Sequence, residues 1–203
     1  MAAWILLALL TRADLSPERT IPAAVHVRID QDGGLSPSEL RILVGEIEKI
    51  WADAGVRVTS GRYSDPVPAG EATLSMRIVS AVVSPDARHV LGWVVGELLP
   101  PSIATIFVSK SGVTELLGKA SFKGVSFSAC PLLLRTRLIA QAMGRVAAHE
   151  LGHYLLTGAA HHERGLMRPT YNPSDLISPS RDAFQIAPVR VIGALDTPVL
   201  MKY

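Results

Sequence analysis

Residues Ala148–Tyr171 read AHELGHYLLTGAAHHERGLMRPTY and hold four of the chain's six histidines, at positions 149, 153, 161 and 162. His149 and His153 are four residues apart, so on a helix both imidazoles project from one face, one turn apart. Two imidazoles held that way reach a single zinc ion at about 2.0–2.1 Å each. Glu150 lies about 100° around the helix from His149, where it reaches a zinc-bound water without ligating the metal. The chemistry of this H-E-x-x-H arrangement follows from its parts. Zinc polarises a carbonyl and acidifies the water; Glu150 takes the water's proton and passes it to the leaving amine.

The bland alternative is a set of helix histidines that only pack or hydrogen-bond. Three features weigh against it. From Leu132 to about Leu156 the apolar residues Leu134, Leu138, Ile139, Ala142, Val146 and Ala147 recur at helical spacing, so the motif falls on an independently predicted helix. Between Val146 and Ala160 the only Asp, Glu, Lys or Arg is Glu150, which suits a buried helix that excludes water. Further histidines follow at once, where a third ligand is needed, and Gly158 supplies a helix stop.

The stretch resembles the metzincin clan of zinc metallopeptidases, whose signature is H-E-x-x-H-x-x-G-x-x-H followed by a methionine-containing turn. His149, Glu150 and His153 match its first part, and Gly158-Ala159-Ala160-His161 matches the G-x-x-H part. Gly165–Tyr171, GLMRPTY, is similar to the Met-turn and wall segment of the matrixin branch, L-M-x-P-x-Y. The resemblance implies one Zn2+ on His149, His153 and His161, with Glu150 as catalytic base. It implies Met167 as the hydrophobic base beneath the zinc, and Pro169 and Tyr171 as walls of a substrate pocket. The chain departs from the clan by a two-residue insertion: four residues separate His153 from Gly158 instead of two. Two extra helical residues rotate the exit by roughly 200° and advance it by roughly 3 Å. His162 therefore stands as the alternative third ligand, and Glu163 as a further one. A zinc-stabilised binding module without turnover is the competing functional expectation.

Working back towards the amino terminus, Val25, Val27 and Ile29 alternate with His26, Arg28 and Asp30 as in a half-buried strand. Asp30–Ser36 resembles a calcium loop only faintly, since the acidic spacing fails. Ser36-Pro37-Ser38-Glu39 is a capping box with proline in the first turn. Leu40, Leu43, Val44, Ile47, Ile50, Trp51 and Ala54 then share one helical face until Gly55. Val56–Val58 begins a second strand, Thr73–Ser80 is a third, and Ile103–Ser109 a fourth. The intervening 81–101 reads as a long loop. Ser178 and Pro179 open a short helix in the tail, ending before Pro188. The order strand, helix, three strands, helix predicts an α/β (α+β) domain, a mixed sheet with two main helices on one side. The resemblance makes it zincin-like, with a twisted sheet, Ile103–Ser109 as the edge strand that receives substrate, and the active-site helix followed by the Met-turn.

The chain has 203 residues, 48% of them hydrophobic and 19% charged, which is globular composition for one domain over 21–203. Twenty basic and eighteen acidic residues leave a formal charge of +2, too balanced for a nucleic-acid partner, so the expected partner is a peptide or protein substrate. Segment 1–20 is hydrophobic: Ala2–Leu10 is too short to span a bilayer and reads as a signal or anchor remnant, or as an element packed on the domain. The single Cys130 excludes an internal disulfide; it reads as a packing residue before a metal ligand, and suits both cytoplasmic and exported proteins. His26 and His89 read as strand or surface residues. Asp182 reads as a helix N-terminal acid, or as a carboxylate orienting a ligand histidine.

Overall fold

The computed structural model describes residues 20–31, 34–66, 68, 71–80, 91–95, 104–156, 161–186 and 190–192. Strands β1 (Thr20–Pro22) and β2 (Ala24–Gln31) precede helix α1 (Pro37–Ala52); β3 (Arg57–Arg62), β4 (Ala72–Val79), β5 (Gly92–Val95) and β6 (Thr105–Ser109) follow it, and then helix α2 (Lys110–Leu117). A short hairpin, β7 (Ser121–Phe122) with β8 (Val125–Ser126), leads into α3 (Leu132–Leu155). α4 (Pro173–Leu176) and β9 (Arg190–Ile192) follow, and β9 pairs in parallel with β1.

The main sheet is mixed, mostly parallel, in the order β3-β2-β4-β6-β5. β2, β3, β4 and β6 run parallel and β5 pairs antiparallel with β6. Alternation fixes the register, because a one-residue slip would turn every apolar side chain outward. Val25, Val27 and Ile29 of β2, Leu74, Met76 and Ile78 of β4, and Ile106 and Val108 of β6 are all buried. The helices that cover them are α1 and α3, packed against each other, with α1 on β3 and α3 on β5 and β6. α1 begins as its sequence dictates: Ser36 accepts from the Glu39 amide and Glu39 accepts from the Ser36 amide. Leu43, Ile47, Ile50 and Trp51 line its buried face. Trp51, fully buried, donates its indole N–H to the Ala148 carbonyl at 3.2 Å, which pins α1 beside the turn that carries His149.

Three expectations change. Thr105–Ser109 lies inside the sheet, between β4 and β5, so among the described residues the edge strand is Gly92–Val95, from the stretch read as loop. Its four residues pair Trp93 with Phe107, and the two rings stack with centroids 4.8 Å apart. The tail helix after Ser178 is replaced by a single 3-10 turn, Asp182–Phe184. The Ser178 and Ser180 carbonyls, which such a helix would use internally, accept instead from the Arg145 guanidinium at 2.8 and 3.1 Å. Between β6 and the hairpin, α2 adds a helix, with Ser109 capping the Gly112 amide. Segment 1–19, His89, Ile103 and Gly158 lie outside the described residues.

Arg145 has no solvent exposure at all. Burial pulls its pKa below the usual guanidinium value, opposed by the charge of Glu46. Its Nε donates to Glu46 Oε2 at 3.1 Å, its Nη1 to the Asp175 carbonyl, and its ring neighbour is Phe184, whose centroid lies 4.8 Å from Cζ. Glu46 is shared with Arg181, whose Nε is also 3.1 Å from Oε2. Removing one partner of a buried pair strands the other charge, at a cost of about 3–5 kcal/mol. Glu46→Gln should therefore lower the unfolding free energy by about that amount in denaturant titration. A loss within about 0.5 kcal/mol, the range of an ordinary surface substitution, would show that the carbonyl ligands alone suffice for Arg145.

Candidate metal centre

Every residue from Val146 to Gly152 on α3 is buried, so this turn of the helix lies inside the protein until the chain approaches His153. His149 is 7% exposed, His153 half-buried and His161 exposed, which opens the group to solvent on one side only. The His149 and His153 Nε2 atoms stand 3.1 Å apart. The His161 ring centroid is 5.4 Å from that of His149 and 5.0 Å from that of His153. One ring nitrogen from each of the three lies within 4.8 Å of the other two.

These distances are short enough for the three imidazoles to share one metal ion. Tetrahedral bonds of about 2.0–2.1 Å separate two ligand nitrogens by roughly 3.3 Å, close to the spacing of the His149–His153 pair. Three neutral imidazoles are a donor set suited to a first-row divalent ion. His161 is the third histidine of this group, and His162 is not part of it. The His162 amide donates to the Met167 carbonyl at 2.8 Å, and its side chain, like those of His161 and Glu163, is exposed. α3 ends at Leu155, so the helix stops two residues beyond His153 and the chain is free to return His161 to the centre.

The turn behind the centre supplies the orientation. His149 Nδ1 lies 2.6 Å from the Leu166 carbonyl, which only accepts, so Nδ1 carries the proton and Nε2 offers its lone pair to the centre. Burial keeps this imidazole neutral, with its pKa pushed down to about 4; the Leu166 hydrogen bond opposes that shift and the neighbouring His153 and His161 add to it. The Leu166 amide is itself tied to the Gln185 carbonyl at 2.9 Å. Met167, 4% exposed, packs against the helix where Gly152 has no side chain: a Cβ there would overlap Met167 Sδ. Tyr171 is partly buried, stacked on Phe184 with centroids 5.2 Å apart, and Pro169 is exposed.

Glu150 is 7% exposed, and burial raises its carboxyl pKa to about 7. The edge strand lies directly on its stem. A Cβ on Gly92 would fall 2.8 Å from Glu150 Cγ and 2.9 Å from Val146 Cγ1, so only a glycine lets β5 approach this closely.

The remaining candidates sit elsewhere. His26 is buried in β2 with Nδ1 2.8 Å from Thr59 Oγ1. Cys130 is a buried free thiol whose Sγ lies 3.6 Å from the Ser126 carbonyl. Asp182 is exposed at the start of its 3-10 turn, and the group that orients His149 is the Leu166 carbonyl, a backbone atom that no residue type announces. Gly92 and Gly152 carried a readable signal, a glycine facing a site residue, but only once the facing partners were known.

No protein-family model matches the chain, and no curated protein is significantly similar to it. His161→Ala should weaken divalent-metal binding by a factor on the order of 10²–10³, about a quarter of the free energy of a four-ligand site, whereas His162→Ala should leave it within about threefold. Competition with a chromophoric chelator checks both. Equal losses in the two variants would remove His161 from the ligand set.

Proposed function

We propose that the protein is a zinc-dependent metallopeptidase with a zincin-like fold, in which Glu150 is the general base. The observation that carries this reading is the convergence of three imidazoles, beside a buried glutamate, at one solvent-open point under a sheet edge. His149, His153 and His161 would hold the metal. Bound there, zinc would supply Lewis-acid polarisation of the scissile carbonyl and acidification of the attacking water.

The chain's own groups do the rest. Glu150 follows His149 on the helix without belonging to the ligand cluster, so its carboxylate is available to take a proton from water at one oxygen and return it to the leaving amine. Its apolar surroundings, Val146 and the backbone of β5, limit competing solvent. β5 ends the order of the main sheet, and its outer backbone groups suit an extended peptide added as a further strand. A peptide bound there would run beside β5, one strand spacing (~4.8 Å) from the strand whose Gly92 packs on the Glu150 stem. Met167 would be the apolar floor of the centre, as in a Met-turn, and Pro169 and the ring of Tyr171 would flank the substrate.

Glu150→Gln removes the proton acceptor while preserving size. The variant should retain about one zinc per chain and lose cleavage of a diverse peptide library by about 10²–10⁴-fold, the usual contribution of a general base. Metal analysis and library digestion together decide it: cleavage at parental rates in the variant would sink the peptidase reading. Zinc binding with no cleavage by the parent would favour the metal-stabilised binding module.

A further inference from the structure

We propose that the Tyr171 hydroxyl is a positioning group for His149, holding it in the tautomer that turns a bare Nε2 towards the metal centre. The inference rests on the reading of His149 as a metal ligand and extends it to a side chain otherwise assigned only to the substrate pocket. Tyr171 Oη lies 2.8 Å from His149 Nδ1 and is also hydrogen-bonded to the Leu166 carbonyl. Three polar atoms thus meet behind the ring, and their chemistry admits one proton arrangement.

The Leu166 oxygen has only lone pairs. At 2.6 Å from Nδ1 it would repel a bare ring nitrogen, so Nδ1 bears hydrogen and donates to it. Nδ1–H then has no lone pair to accept from Tyr171. The phenol O–H therefore donates to Leu166, and its oxygen faces Nδ1–H as a second acceptor. With two acceptors on one side, a ring flip would place carbon-bound hydrogens against both oxygens and leave them without this donor. Transfer of the proton to Nε2 would set that N–H against His153 Nε2, 3.1 Å away, in the space a metal would need.

Tyr171 is itself held. Its ring stacks on Phe184 and lies under the Arg168 guanidinium, with Cζ 4.6 Å from the centroid, and Arg168 Nη2 pairs with Asp175 Oδ2 at 2.7 Å. The hydroxyl cannot swing away without breaking these contacts. A hydrogen-bonded group behind a ligand histidine fixes its tautomer and raises its basicity, and loss of such a group typically weakens metal binding 10–100-fold.

The test compares the full-length parent with Tyr171→Phe, which keeps the ring stack and removes only the hydroxyl. Nitrogen-15 NMR of the imidazoles in metal-free protein reads the tautomer, and zinc titration against a chromophoric chelator reads affinity. In the parent, His149 should carry a slowly exchanging proton on Nδ1, with cross-relaxation to the Tyr171 hydroxyl proton. In the variant, melting temperature should stay near the parent's, the Nδ1 proton should exchange faster, and zinc affinity should fall by about tenfold or more. Protonation of His149 at Nε2 in the parent, or zinc affinity in the variant equal to or above the parent's, overturns the proposal. Should Tyr171→Phe not fold, the parental cross-relaxation decides alone, and its absence overturns it. Peptide cleavage enters none of these readouts, so an inactive protein would defeat the peptidase reading and leave this one standing or falling by itself.

Discussion

A guanidinium shut away from water must collect all its partners from the protein, and Arg145 does so from three parts of the chain at once. Glu46 comes from α1, the Asp175 carbonyl from α4 with those of Ser178 and Ser180 just after it, and the Phe184 ring from the 3-10 turn beyond. Each of those positions is set by what Arg145 requires. A buried ion pair of this kind is weak evidence for net stability, since desolvation offsets much of the attraction. Its value here is geometric: the segment after the histidine cluster cannot drift along α3 without stranding a charge.

The same anchor extends to the histidines. Arg145 precedes His149 by one helical turn, so whatever fixes Arg145 fixes the turn that carries His149. On the other side, Phe184 touches both the Arg145 guanidinium and the Tyr171 ring, and Tyr171 meets His149. A continuous line of packed groups therefore joins a buried ion pair to the His149 ring. The precision of the three-imidazole cluster depends on this support, because a ligand set displaced by even half an ångström loses its common focus.

Much of this was legible in the residues. The capping box at Ser36 and Glu39, the apolar face of α1, the alternation in β2 and β4, and the helical period of α3 all gave their elements within a residue or two. In each case local chemistry and tertiary burial agree. The closeness of His149 and His153 was readable for the same reason, since it depends on helical spacing. What could not be read depends on partners distant in sequence. β5 is four residues that begin with one glycine and precede another, and only its pairing with β6 makes it a strand. Ser178-Pro179 has the residues of a helix start, yet its carbonyls are drawn to a charge more than thirty positions earlier. The Leu166 carbonyl belongs to every residue type alike, so no composition could mark it as the orienting group. Glu46 and Arg145 did leave a trace, a charge on each of two apolar helix faces, that becomes meaningful when the helices are placed together.

The parallel pairing of β1 with β9 has a consequence for how the chain is made. Thr20 is hydrogen-bonded alongside Arg190, about 170 residues later. At synthesis rates of about 5–20 residues per second, the first strand waits roughly 10–30 s for its partner. By then every residue of the histidine cluster has been translated, along with Glu46, Arg145 and the carbonyls that surround it. The centre's components are thus all present before β1 and β9 can pair, and among the described strands the last to arrive closes onto the first.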